Sequence, residues 1–127
     1  MIVKQKARRF LLVEDEILLV MMVEDMLRDF GCASVASAST AEQAIRLIES
    51  QTFDAALLDV NLQGRKSDAV ADALALRHIP FIFCTGSAQV EVAPRFQDRP
   101  FLRKPFGCDD LARAVERLPG ARSPAPR

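Results

Sequence analysis

Short apolar runs alternate along the chain with longer stretches whose apolar residues recur at helical spacing. Phe10-Leu11-Leu12-Val13 is continuous and reads as a buried strand. Ile17 to Phe30 follows a helical period and stops at Gly31, a residue suited to ending a helix. Leu19, Met22, Val23, Met26 and Phe30 form a stripe that a core would use, and Ile17, Leu18, Val20 and Met21 are more than one face needs. A weaker strand is expected near Ala33–Ala36. Ser39-Thr40-Ala41-Glu42 resembles a capping box opening a helix with Ala44, Ile45 and Ile48 on one face. Ala55–Leu58 and Pro80–Cys84 read as the third and fourth strands, with a helix over Ser67–Leu76 between them. A short fourth helix is expected around Val90–Phe96, its length limited by Pro94. Phe101-Leu102 is a short fifth strand, and Asp109 or Asp110 caps a last helix carrying Leu111, Ala114, Val115 and Leu118.

Strands that are continuously apolar and alternate with helices predict a parallel sheet covered on both faces. Residues 1–118 are expected to form that one domain, and 119–127, rich in Pro, Ala and Arg, a frayed tail with no room for an output domain. Charge adds an exclusion: 17 basic residues balance 17 acidic ones, so nothing suggests a nucleic-acid footprint. Lys4, Lys6, Arg8 and Arg9 read as a solvated lead-in to the first strand, with a phosphate-binding arm as the alternative. Ile17–Val23 is too short to span a bilayer, and Met1–Phe10 lacks the apolar stretch of a secretory signal. Cys32, Cys84 and Cys108 form no CxxC pair, and His78 is the only histidine, so no zinc site is offered. Reduced thiols in a cytoplasmic protein are the simplest reading.

Parallel α/β sheets place their ligand sites at the carboxyl ends of the strands, which directs attention to a few polar residues. The first strand runs into Glu14-Asp15-Glu16, the third ends at Asp59, the fourth at Thr85, and the fifth is followed by Lys104-Pro105. A like-charge pair about 4 Å apart costs roughly 4 kcal/mol at an effective dielectric near 20. Carboxylates gathered at one sheet edge therefore raise one another's pKa or bind a cation. With oxygen ligands only, Mg²⁺ is the expected ion. An aspartate beside such an ion can attack phosphorus and form an acyl phosphate, with metal and lysine neutralising the transferring oxygens. A threonine hydroxyl can then hydrogen-bond a phosphoryl oxygen. Taken singly, each residue has a plainer explanation as a turn, a helix cap or a loop; their joint order along four strand ends does not.

Leu12-Val13-Glu14-Asp15-Glu16, Leu57-Leu58-Asp59-Val60-Asn61-Leu62, Thr85-Gly86 and Lys104-Pro105-Phe106 together resemble the receiver domain of two-component response regulators. The resemblance covers about residues 9–118. It implies a doubly wound α/β fold with a five-stranded parallel sheet, order 2-1-3-4-5, flanked by five helices. Asp59 would be the phosphoacceptor. Glu14 and Asp15 would be the acidic pair, Asp15 touching the Mg²⁺ directly and Glu14 acting through water. Asn61 would offer its backbone carbonyl to the metal and face the phosphoryl group with its side chain. Thr85 would be the switch hydroxyl, and Lys104 the family lysine, followed by a cis peptide at Pro105. Pro80–Ser87, with Gly64, Val70–Leu74 and Arg99-Pro100, is similar to the FATGUY group of single-domain regulators, several of which move phosphoryl groups into or out of bacterial general-stress signalling.

Departures bear on coupling. The aromatic that often follows Gly86 in that group is missing. Gln63 stands where many receivers have proline, which implies a more mobile loop beyond the acceptor. Phe101 replaces the switch tyrosine of many receivers and cannot hydrogen-bond through a hydroxyl. The resemblance also implies partners: a histidine kinase or phosphotransferase docking on the first helix, with Leu18 and Met21 as contacts. The alternative is that those two pack beneath flanking loops or are merely exposed. A homodimer face near Phe101, Phe106 and Arg113 is a further option. The function implied is that of a stand-alone receiver that switches partner binding or drains phosphoryl groups, and not of an enzyme on outside substrates, since Asn61 stands where an aspartate-nucleophile phosphohydrolase needs its second acid. A phosphorylation-independent interaction module on the same fold is the rival reading.

Overall fold

Phe10, Leu11, Leu12 and Val13 are all buried, as a strand sandwiched between two helical layers requires. In the computed structural model, which describes residues 8–32, 34–86 and 92–118, they belong to β1 (Arg9–Val13). The main sheet adds β2 (Ser34–Ala38), β3 (Ala55–Asp59), β4 (Phe81–Thr85) and β5 (Phe101–Arg103). Every pairing in it is parallel, and the order is β2-β1-β3-β4-β5, as expected. The register sets Val13 beside Leu58, Asp59 beside Cys84 and Thr85 beside Arg103, so the strand tips gather at one edge.

Side chains alternate across each strand and divide the core in two. Leu11, Val13, Leu58, Phe81 and Phe83 face α2 (Ala41–Ser50) and α3 (Asp68–Leu76). Phe10, Leu12, Leu57 and Ile82 face α1 (Ile17–Asp29) and α4 (Cys108–Glu116). Phe83 stacks on Phe101 at 5.1 Å between ring centres and meets Phe81 edge-on at 5.2 Å, tying β5 to the sheet. Among the described residues, no helix is long and apolar enough to cross a membrane.

Several expectations need correction. The flanking layers hold four α-helices among the described residues, not five. The expected fourth helix over Val90–Phe96 is a single 3₁₀ turn at Pro94–Phe96, opened by a proline that lacks an N–H to continue a helix backwards; Val90 lies outside the described residues, as do Lys4, Lys6, Ala33, Ser87 and 119–127. The α1 core face is centred on Val20, Val23 and Leu27; Met22 is out in solvent, while Leu19, Met26 and Phe30 pack at the margin. The α2 cap sits one residue later than expected: Thr40 accepts from the Gln43 N–H at 3.1 Å, and Gln43 Oε1 accepts from the N–H of Ser39, the residue before the cap, at 2.8 Å. Gly107 is the first residue of the α4 cap, and Asp110 accepts its N–H at 3.0 Å from inside the helix.

The segment after β3 holds a further element. Asn61–Leu62 pairs antiparallel with Arg65–Lys66 in a small ribbon, turned by Gln63 and Gly64 at φ values of 53° and 82°. Within the ribbon Leu62 is buried and the Gln63 N–H donates to Asp15 Oδ2 at 2.9 Å. A proline could neither donate nor adopt that φ.

Candidate functional site

β1 delivers Glu14 to the carboxyl edge of the sheet, where the Glu14 N–H bonds to the Ala38 carbonyl at 3.0 Å and the residue is only 2 % exposed. Asp59 ends β3 at 7 % exposure and Thr85 ends β4 at 4 %. Buried polar side chains at three adjacent strand tips are uncommon in a sheet whose other buried positions are apolar, and they mark this edge as the site.

Lys104 is the cation at its centre. Its backbone N–H donates to the Thr85 carbonyl at 2.8 Å, which hangs the residue from the tip of β4, and the peptide to Pro105 is cis, as expected. From there Nζ lies 3.0 Å from Asp59 Oδ2, 3.1 Å from Glu14 Oε1 and 3.3 Å from Glu16 Oε1. Burial opposes the charge on this ammonium, but the hydrogen bond and charge of Asp59, helped by Glu14, hold its pKa above the ordinary lysine value. It stays protonated at any physiological pH.

Glu14 is the member whose protonation the site shifts most among the carboxyls. Burial, with a smaller contribution from the Asp59 charge, pushes its carboxyl up to about 7, against the Glu16 N–H at 3.1 Å and Lys104, which pull it down. Asp15 is half-buried and accepts the Gln63 N–H; Asn61 is exposed and its N–H donates to Asp59 Oδ1 at 3.2 Å. Glu14, Asp15 and Asp59 each offer an oxygen within 4.8 Å of the others. An all-oxygen set of carboxylates at that spacing fits a hard divalent cation such as Mg²⁺.

Of the residues singled out in the sequence, Glu14, Asp15, Asp59, Thr85 and Lys104 converge on this edge, and Asn61 joins through its backbone. Two further participants have no role assigned from the sequence. Glu16 shares Lys104, although it stands in the same acidic run, and Gln63 braces Asp15 through a backbone amide that carries no side-chain signature. Cys84, next to Thr85, is buried to 1 % exposure, and burial lifts its thiol to about 12, so it plays no nucleophilic part here.

Comparison with known proteins agrees with this geometry. The family model "Response regulator receiver domain" matches residues 10–116. The chain is 33 % identical over 113 residues to the transcriptional regulatory protein PdtaR of Mycobacterium tuberculosis; the match takes in 86 % of this chain but 55 % of PdtaR, so the chain spans about half the length of that relative. It is also similar to the solution structure of the BeF3-activated conformation of SdrG from Pseudomonas melonis Fr1, with 45 % identity, a TM-score of 0.75, and 88 % of this chain and 96 % of that one covered. A third similarity is to the receiver domain of the sensor histidine kinase PA1611 from Pseudomonas aeruginosa PAO1, a structure with a magnesium ion in its active-site cleft (27 % identity, TM-score 0.72, 87 % and 96 % covered). With the family match running from β1 to the end of α4, the chain belongs to the response regulator receiver domains of two-component signalling.

Proposed function

We propose that the chain works as a stand-alone receiver in a two-component phosphorelay, accepting a phosphoryl group on Asp59 with Mg²⁺ held by Glu14, Asp15, Asp59 and the Asn61 carbonyl. The observation that carries this reading is the buried Asp59 carboxylate 3.0 Å from the Lys104 ammonium, inside a carboxylate trio that fits a divalent cation. Bound there, Mg²⁺ would supply positive charge to the oxygens of a transferring phosphoryl group. Asp59 would attack phosphorus, forming an O–P bond as the N–P bond of a phosphohistidine breaks and its electron pair returns to the imidazole. Lys104, already within reach of Asp59 Oδ2, would pair with the new anion, and the Thr85 hydroxyl would hydrogen-bond one of its oxygens. A group carrying close to two negative charges then changes which surfaces the receiver presents. Receiver domains are regulatory phosphoacceptors, and the expected chemistry is self-phosphorylation and its reversal. The rival, a phosphorylation-independent module, would have no use for the convergence of these side chains at one edge.

The donor is proposed to be a histidine kinase or histidine phosphotransferase docking on α1, where Leu18 and Met21 are 73 % and 56 % exposed beside Ile17. A phosphorylated donor protein should transfer label to the wild type and not to Asp59→Ala. Alanine at both Leu18 and Met21 should slow that transfer about tenfold or more while leaving labelling by a small phosphodonor unchanged; equal slowing with both donors would remove the docking role. For a homodimer through the β5–α4 face, Phe106 contributes nothing because it is buried in the core, whereas half-buried Phe101 and exposed Arg113 line a cleft there of about 330 Å³.

A further inference from the structure

Resting on the reading of Glu14, Asp15 and Asp59 as a cation site, we infer that the ribbon after β3 is a brace for that site, in which the backbone amide of Gln63 positions the Asp15 carboxylate for the ion. The pairing of Asn61 with Lys66 and Leu62 with Arg65 leaves Gln63 and Gly64 as a two-residue turn. Both have positive φ, 53° and 82°, the demand of the tight hairpin turn whose twist matches its flanking strands. Gly64 meets that demand freely. Gln63 does not, because its Cβ crowds the backbone in the left-handed region. A left-handed residue other than glycine persists where its surroundings hold it there, and such residues gather at functional sites.

Two features hold it: the Gln63 N–H donates to Asp15 Oδ2 at 2.9 Å, and the neighbouring Leu62 side chain is buried, while the exposed Arg65–Glu42 pair at 3.7 Å adds little. Two residues earlier on the same ribbon, the Asn61 N–H donates to Asp59 Oδ1 at 3.2 Å. The ribbon thus aims backbone donors at two of the three carboxylates. Glu14 needs no such help, since Lys104 and the Glu16 N–H already hold it. Asp15 is the half-buried member of the trio, and the amide fixes one of its oxygens. Outer hydrogen bonds of this kind orient metal ligands and set their affinity. The Gln63 side chain itself is exposed, so the requirement at this position is an N–H on a backbone with positive φ. Glycine satisfies both conditions and proline neither.

Mg²⁺ titrated by calorimetry into the wild type, Gln63→Gly and Gln63→Pro tests this. Gln63→Gly should bind within about twofold of the wild type, and Gln63→Pro at least tenfold more weakly. Wild-type-like binding by Gln63→Pro would overturn the brace alone. Absence of Mg²⁺ binding in the wild type would overturn the cation reading and the brace with it. Hydrogen exchange of the Gln63 amide in metal-free protein gives a second test that does not require the proline variant to fold. Exchange should quicken at least tenfold in Asp15→Ala, and equal rates in the two proteins would overturn the inference.

Discussion

The two ends of β1 carry polar networks that balance their charges differently. At its start, the Asp54 carboxylate accepts the Arg9 N–H at 2.6 Å, while the Arg9 guanidinium donates to Gln51 Oε1 at 2.7 Å and the Thr52 carbonyl at 3.0 Å and lies over the Phe53 ring. The donors of that cation are answered by the chain itself. At the other end, Glu14, Glu16 and Asp59 share Lys104, and Asp15 stands beside Glu14 and Asp59, so among the described contacts four carboxylates gather around one ammonium. Both networks tie together segments distant in sequence. The difference teaches where function lies: the closed network is architecture, whereas the open one gathers more carboxyl groups than cations among the described residues, and a displaced carboxyl pKa with them.

The widest separation between the two ends should appear on changing pH. In the folded, metal-free protein Glu14 keeps its proton up to about pH 7, whereas the unfolded chain releases it near 4.5. Between those values the folded state binds more protons, so stability should fall as pH rises from about 4.5 to about 7, by on the order of 1–3 kcal/mol. Glu14→Gln should abolish that part of the pH dependence, as urea unfolding at pH 5 and pH 7.5 would register. Ion binding requires the ionised carboxylate, so Mg²⁺ affinity should rise through the same window, by up to about tenfold per pH unit below 7. A flat wild-type profile would mean that Glu14 is not held protonated by burial.

Asp15→Asn should have a smaller, two-sided effect. It removes one like charge, which should raise metal-free stability by about 1 kcal/mol while weakening Mg²⁺ binding at least tenfold, the trade expected where a site is built from repelling groups. Loss of stability without Mg²⁺ would contradict the view of this edge as under-compensated. The mildest effect is expected at the closed end. Arg9→Ala should cost about 1 kcal/mol through its lost hydrogen bonds and leave the Mg²⁺ dissociation constant within about twofold; a larger change in binding would show the two networks to be coupled along β1.

Much of this contrast is legible from residue types. Parallel strands buried on both faces read as unbroken apolar runs, so β1, β3 and β4 stand out, and the polar residues where each run stops are the site. What the sequence hides has physical reasons. Gln63-Gly64 is a weak turn signal, because glutamine rarely takes a positive φ and its role belongs to the backbone. Glu16 reads as a third acid in a run, and only the fold reveals that Lys104, 88 residues away, reaches it. The α1 core face is ambiguous because every residue from Ile17 to Val23 is apolar, so periodicity does not choose among registers. Phe106 looks available beside a loop, yet the turn after Lys104 folds it against α4 and α1.

The most direct test is a phosphate-sized mass gain. Wild type and Asp59→Ala would be incubated with a small-molecule phosphodonor, with and without Mg²⁺, and examined by intact mass spectrometry. A gain that needs Mg²⁺ and disappears in Asp59→Ala is expected; a gain that survives the substitution, or no gain with either the small donor or a phosphorylated histidine kinase, would contradict Asp59 as the acceptor at the open end of β1.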